Sequence, residues 1–495
     1  MPRREPDARP GGSYAGKMST DAPGWARDTD NPYLKGMHGP TTVFANDEGL
    51  EVVAGEIPAD LEGAYVRNGP NSMHAPTNQY HWFDGDGLVN GVYFRGGNAS
   101  HRSALVKTAG LADERERGES IWPGVMGPFD FDAPRHYLKD TANTDLIWHA
   151  GDLHALWYLC GEPYRLDPAT LETRGVADFG GKLQSTISAH PKRDERTGEL
   201  VYFTLGEFEP PYMRYGVVDA SGTLVHETPI DLPGARAPHD ITITENYSIV
   251  HDFPLFHDVD VLREHGYRVA RFHRDIPSRF GVLPRRGEGS EVRWFEFEPG
   301  YVLHMVNAWE EGDWIVMDGC FQPDPTIVKR PEEGALASML GYLRIRAHLR
   351  RWRMNLKTGE TTEDQLDDLN VEFCLPDTNL YGVKTRYSYH QHLPEDMYTV
   401  DFRALVKYDH EDATRTRFDY EQGWCAGEST FAPRVGGTSE DDGYVITISS
   451  HETTLASECW IFDARDIQRG PVARVALQTR VPTGFHAKWL AAERV

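Results

Sequence analysis

The chain has 495 residues, 39% of them hydrophobic, and carries 51 Lys+Arg against 76 Asp+Glu for a formal net charge of −25. Such an acidic balance argues against nucleic acid as a partner and against electrostatic recruitment to anionic lipid, and leaves apolar, peripheral contact with a membrane as the remaining mode of membrane association. Five scattered cysteines, odd in number and never in a CxxC pair, argue against a disulfide framework or a thiolate metal site and suit a reducing, cytoplasmic location.

The opening Met1-Pro-Arg-Arg-Glu-Pro lacks the apolar core of a signal peptide, and no later run approaches the roughly 20 apolar residues needed to span a bilayer. Residues 1–31 are rich in Pro, Gly and charge and are expected to be disordered, with one folded domain over 32–495. From Thr41 onward, short β-branched and aromatic runs alternate with turn residues. Asp167-Pro-Ala-Thr, Asp194-Glu-Arg-Thr-Gly, Asp219-Ala-Ser-Gly and Asn355-Leu-Lys-Thr-Gly are predicted hairpin tips. Their recurrence predicts an all-β fold with antiparallel sheets repeated radially, a propeller; the degenerate repeat does not give the number of blades. Two short helices, over Val259–His265 and Gly334–Gly341, are expected as insertions above the sheets.

Four histidines stand in strand-like contexts far apart in the chain: Ser188-Ala-His190-Pro, Pro238-His239-Asp-Ile, Val302-Leu-His304-Met and Gly484-Phe-His486-Ala. A radial β fold aims one inner strand of every blade at a common axis, where such residues can meet around an ion. Imidazole suits Zn, Cu, Fe and Ni; four histidines would close a tetrahedral zinc site but leave positions open on octahedral iron.

The chain resembles the carotenoid cleavage oxygenases, a non-heme iron family that includes enzymes cleaving lignostilbene and isoeugenol. The resemblance rests on Pro58-Ala-Asp-Leu-Glu-Gly-Ala-Tyr-Val-Arg-Asn-Gly-Pro70, Trp82-Phe-Asp-Gly-Asp-Gly-Leu88, Thr141-Ala-Asn-Thr144, Ser188-Ala-His190-Pro-Lys, His239-Asp-Ile-Thr-Ile-Thr, His304-Met-Val-Asn-Ala-Trp309, Phe431-Ala-Pro-Arg434, Glu440-Asp-Asp-Gly443 and Gly484-Phe-His486, in order along most of the sequence. It implies a seven-bladed β-propeller with a cap of helices and long loops over one face, a single catalytic domain, and ferrous iron, Fe(2+), held by His190, His239, His304 and His486. It also implies that Glu372 and Glu428 orient ligand histidines through their second ring nitrogens, and that Thr144 lies beside the iron and crowds one coordination position. Where the family typically reads Ala-Leu-Trp-Glu-Gly-Gly, this chain reads Ala155-Leu-Trp-Tyr158-Leu-Cys160-Gly-Glu162, so that Tyr158 or a displaced Glu162 takes over the third carboxylate's task, or one ligand is held more loosely.

The implied activity is oxidative cleavage of a C=C bond by O2 into two carbonyl products, the substrate being an apolar small molecule held in a tunnel. Aromatic and apolar residues near Ile121–Phe129, Phe253–Phe256 and Trp309 are its candidate lining. Lignostilbene-cleaving relatives use a lysine where this chain has Trp157, which favours a carotenoid or apocarotenoid over a stilbene or phenylpropanoid. Non-oxidative isomerisation is a third reading within the family. An alternative of another class is a non-catalytic propeller whose metal is structural and which acts as a binding module; the four-histidine set with two matching carboxylates and no thiolate speaks against it.

Overall fold

The computed structural model describes residues 21–495. Seven antiparallel sheets form the blades of a β-propeller. Five blades are contiguous four-stranded sheets, over residues 145–176, 192–230, 242–297, 301–365 and 371–419. Their first strands, among them Asp145–His149, Tyr301–Glu311 and Val371–Leu375, lie innermost and touch the inner strands of neighbouring blades. The other two blades are closed from opposite ends of the chain. Val52–Gly55 joins the outer edge of the C-terminal sheet through Pro471–Leu477, and Ala487–Ala491 joins the inner edge of the N-terminal sheet through Gly63–Arg67. Both closures remove strand edges that would otherwise stay unpaired.

Middle strands such as Leu200–Leu205, Trp314–Gln322 and Gly443–His451 are buried almost throughout. Each blade packs both faces on its neighbours, which is why these strands read as continuous apolar runs rather than strict alternation. The predicted hairpin tips are built by their acidic or amide residue: the side chains of Asp167, Asp194, Asp219 and Asn355 accept from backbone N–H groups two to four residues further on.

Cap segments cover one end. The helix Val259–His265 forms as predicted, started by the Asp258 side chain, which accepts from the Asp260 and Val261 N–H groups, and stopped by Gly266 at φ 68°. The second predicted helix is a 3-10 turn, Pro331–Leu336, running into the short α-helix Ala337–Gly341. A further helix, Ala109–Arg117, escapes a search for apolar periodicity because the residues it buries are Gly110, Leu111 and Glu114, the last paired with buried Lys139.

Of the segment expected to be disordered, residues 1–20 lie outside the described residues. The remainder corrects that expectation. Asp21 accepts from Arg480 Nε at 2.7 Å, its carbonyl accepts from Thr42, and the Asn31 side chain donates to the Tyr80 carbonyl at 2.7 Å, so the ordered chain reaches back before Asn31.

Candidate metal centre and its cavity

Each blade delivers one residue to the axis at or just before its innermost strand: Asp145, His190, His239, His304, Glu372, Glu428 and His486 in chain order. The four histidines converge, with one ring nitrogen of each within 4.8 Å of the others. Three are oriented from behind: His190 Nδ1 lies 2.9 Å from Asp145 Oδ2, His304 Nδ1 2.5 Å from Glu372 Oε2 and His486 Nδ1 3.1 Å from Glu428 Oε1. These contacts fix the tautomer and leave Nε2 of each ring facing inward. His190 Nε2 and His239 Nε2 stand 3.0 Å apart, and His304 Nε2 is buried with no hydrogen-bond partner among the described residues.

Four converging imidazoles, with His304 Nε2 orphaned and two more inward nitrogens set face to face, fit a borderline divalent metal. Burial first, then the neighbouring histidines, holds His190 and His239 well below the ordinary histidine range, and burial pushes His304 down to about 3, so these rings are neutral donors at pH 7.

Local backbone features aim these side chains. The ladder register shifts around His304 and again between Glu372 and Leu375, and Phe373 sits inside the second bulge at φ 51°. That bulge lets Glu372 reach His304 while the Phe373 ring stacks on His486 at 4.8 Å. Gly484 is required by a close crossing: a Cβ there would lie 2.7 Å from the Asn68 carbonyl oxygen, and Asn68 in turn exchanges backbone hydrogen bonds with Phe485 and His486.

Four participants were not singled out from sequence. Asp145 holds His190 and also pairs with Lys488 at 2.8 Å. Asp240 pairs with buried Lys192 and accepts from the Met305 and Ile241 N–H groups at 2.8 and 2.7 Å, tying the His239 and His304 strands together. The available signal was their adjacency to the motifs, in Thr144-Asp145, His239-Asp240, His190-Pro-Lys192 and His486-Ala-Lys488.

The centre opens into a mostly apolar cavity lined by Trp82, Phe83, Val125, Leu255, Tyr301, Leu303, Ile345, Phe373 and Phe485, with Thr144, Tyr158, Arg268 and Tyr342 among its polar members. Of the lining expected from sequence, Val125 and Leu255 are present. Trp309 instead packs in its blade, donating to Glu311 and covered by Arg351. Thr144 lies at the centre, its carbonyl accepting from the His486 N–H at 3.3 Å. Its hydroxyl accepts from the Tyr158 N–H and donates to Asn143, both at 3.0 Å, which leaves the methyl as the group free to face the site.

Glu162 bonds Tyr164 rather than any of the four histidines, and Tyr158 lines the cavity. The histidine left without a carboxylate is His239, whose Nδ1 has no side-chain partner among the described residues. A second cluster, Cys320, Cys374 and His390, also falls within 4.8 Å behind the centre, where no thiol site was expected. Burial raises both thiols, and the five cysteines are unpaired and buried, so this group is an uncharged part of the core.

The fold thus sets four converging histidines, three of them buried, beneath an apolar cavity, a site that could hold a metal ion beside a small apolar molecule. Residues 40–491 match the family profile described as retinal pigment epithelial membrane protein. The chain is 34% identical over 479 residues to a carotenoid 9,10(9',10')-cleavage dioxygenase of Crocus sativus, covering 90% of this chain and 86% of that one. It is 32% identical to an isoeugenol monooxygenase of Pseudomonas nitroreducens, covering 93% and 98%. Among solved structures, the lignostilbene dioxygenase of Pseudomonas brassicacearum superimposes with a TM-score of 0.83 at 27% identity over 93% of this chain and 99% of that one, and a cobalt-substituted apocarotenoid oxygenase of Synechocystis with 0.79 at 28% over 91% and 97%. This chain therefore belongs to the carotenoid cleavage oxygenase family. No helix among the described residues is long and apolar enough to cross a membrane.

Proposed function

We propose that the protein is a non-heme Fe(II) dioxygenase that splits a C=C bond of a carotenoid or apocarotenoid with O2, giving two carbonyl products. The observation that carries the reading is the convergence of His190, His239, His304 and His486 at the end of an apolar cavity. Bound there, Fe(II) supplies the one-electron chemistry that allows O2 to react with a closed-shell alkene. The chain's own work is positioning and exclusion of water. Asp145, Glu372 and Glu428 hold three ligand rings through Nδ1, Thr144 narrows the space at the centre, and the aromatic walls exclude water and align a conjugated chain. Tyr267, Val269 and Val328 are exposed apolar residues adjacent in the chain to the lining residues Arg268, Ala270 and Ile327, which suits uptake of an apolar substrate from that side.

A second reading, cleavage of a stilbene or phenylpropanoid alkene, is favoured by the likeness to the isoeugenol and lignostilbene enzymes. Anaerobic loading with Fe(II), followed by O2-uptake assays with β-carotene, apocarotenals, resveratrol and isoeugenol and mass analysis of products formed under labelled O2, decides between them. Two labelled carbonyl products from a polyene are expected. Iron-loaded protein that consumes no O2 with any of these substrates overturns the oxygenase reading, and unlabelled products point to isomerisation.

A further inference from the structure

The cavity is mostly apolar, and at one place on its wall the structure offers donors with nothing to bind. Arg268 enters from the loop after the helix Val259–His265, with its side chain 7% exposed. One terminal nitrogen, Nη2, donates to Glu207 Oε1 at 2.6 Å, Nε is buried with no partner among the described residues, and Nη1 makes no hydrogen bond among them either. His257, on the same wall, likewise has Nδ1 buried and unpartnered. An interior guanidinium normally satisfies most of its five N–H groups, so an Arg with vacant donors inside a ligand cavity is waiting for an acceptor.

Resting on the alkene-cleavage reading, we propose that Arg268 and Tyr158 form the seat for an oxygen-bearing end of the substrate, a hydroxyl or carbonyl oxygen, and so select oxygenated substrates over plain hydrocarbons. The charge of the seat narrows the ligand class. Glu207 already balances Arg268 and also accepts from Tyr137, so a carboxylate ligand would leave one excess negative charge in a buried place, whereas a neutral oxygen uses the vacant donors at no such cost. Burial raises the Tyr158 phenol well above its ordinary range, so it stays a donor.

Placement relative to the metal centre follows from three contacts. The Tyr158 N–H donates to Thr144 Oγ1, and the Phe83 ring bridges Tyr158 at 4.7 Å and Phe485 at 5.4 Å, next to His486. A conjugated chain lying along this wall has its oxygen at Arg268 and a C=C bond at the histidines. Trp157, at the position where lignostilbene-type relatives have a lysine, is buried outside this cavity's lining, so the seat does not use that position and draws instead on its neighbour Tyr158 and on Arg268.

The test compares matched ligand pairs: 4-hydroxystilbene with stilbene, and an apocarotenal with a hydrocarbon polyene of equal length. Affinity is measured anaerobically on Fe(II)-loaded protein by fluorescence quenching, and kcat/KM by O2 uptake. Wild-type protein is expected to prefer the oxygenated member of one pair by about 10- to 100-fold, the value of a hydrogen bond to a charged donor; which pair shows the preference tells phenol from aldehyde. The double variant Arg268→Met, Glu207→Gln removes the pair without stranding a charge and is expected to reduce the preference to about threefold or less, while Arg268→Lys keeps part of it. Tyr158→Phe, which leaves the ion pair intact, is expected to lower the preference as well and serves where the double variant does not fold. No preference in wild-type protein, or one unchanged by these substitutions, overturns the proposal. A binding preference without O2 consumption would instead uphold the seat and count against oxidative cleavage.

Discussion

Asp145 is the sharpest place to test how the centre is built, because both of its oxygens are fully used. Oδ2 accepts from His190 Nδ1 at 2.9 Å and from Lys488 at 3.0 Å, while Oδ1 accepts from the Leu146 N–H at 2.7 Å and from Lys488 at 2.8 Å. In Asp145→Asn, either amide orientation turns an NH2 group onto two donors: His190 and Lys488 in one, Leu146 and Lys488 in the other. Each unmet buried donor costs about 1–3 kcal/mol. Lys488, with its side chain 13% exposed, is left with little water to compensate. The expected loss is about 2–4 kcal/mol of unfolding free energy in the metal-free protein. His190 loses the group that fixes its ring, so divalent-metal affinity falls by about 10- to 100-fold. Chelator competition with Fe(II) or Co(II) measures the second quantity and urea denaturation the first. Adding Lys488→Met to Asp145→Asn removes one of the opposed donors and is expected to recover part of the stability but little of the metal affinity. Wild-type metal affinity in Asp145→Asn would refute the assignment of Asp145 as the residue that orients His190.

His304→Ala is expected to abolish stoichiometric iron binding while far-UV circular dichroism stays that of the wild type, because the seven sheets hold their inner strands by ladders this side chain does not join; collapse of the fold would contradict this. Thr144→Ser keeps the hydroxyl bonds to Tyr158 and Asn143 but removes the methyl, and is expected to loosen product regiochemistry while leaving metal content intact, as mass analysis of the products would reveal. Burial pushes His81, His101 and His251 down to about 3 and His149 and His154 to about 4, from an ordinary 6.5. Their stabilising contribution is present above 6.5 and is lost as the pH falls from there toward 3–4, at up to about 1.4 kcal/mol per pH unit for each ring. Urea midpoints should therefore drop steeply below pH 6.5, and a flat profile to pH 5 would be inconsistent with neutral buried rings. Burial also raises Glu372 to about 8, so in metal-free protein at pH 7 it is largely protonated, and a bound dication restores the carboxylate. Metal binding should release close to one proton at pH 7 and fewer above pH 8, which calorimetry in buffers of different ionisation enthalpy can count.

The legible part of this fold was local. Hairpin tips at Asp167, Asp194, Asp219 and Asn355 carry their own hydrogen-bond logic, and the helix at Val259–His265 shows its cap residues in the sequence. The four histidines were legible through their motifs. Ring closure was not, because it pairs Val52 with Val475 and Tyr65 with Trp489, and no local pattern encodes partners more than four hundred residues apart. Asp145, Asp240, Lys192 and Lys488 were missed for a related reason. Each reads alone as an ordinary exposed charge at a strand end, and only the propeller axis brings Lys488 to Asp145 and Lys192 to Asp240. Arg268 lies in an insertion with neither periodicity nor motif, so its burial in the cavity is a tertiary fact.

The charges around the axis explain why these missed residues are there. Four neutral imidazoles leave a dication's full charge uncompensated in a buried, low-dielectric place, yet carboxylates in the coordination sphere would take the ligand positions of the histidines. Placing Asp145, Glu372 and Glu428 one imidazole away delivers the compensation through Nδ1–H bonds while their oxygens stay off the metal. Asp240 joins them as a fourth carboxylate, and Lys192 and Lys488 cancel two of the four. This hydrogen-bonded set is then left with two negative charges, the number a dication neutralises. A third glutamate at position 158, where the family typically has one, would put the set one negative charge in excess. With Tyr158 there instead, the balance closes, His239 is held by its strand alone, and the side chain at 158 is released to the cavity beside Arg268, where it bears on substrate rather than on metal.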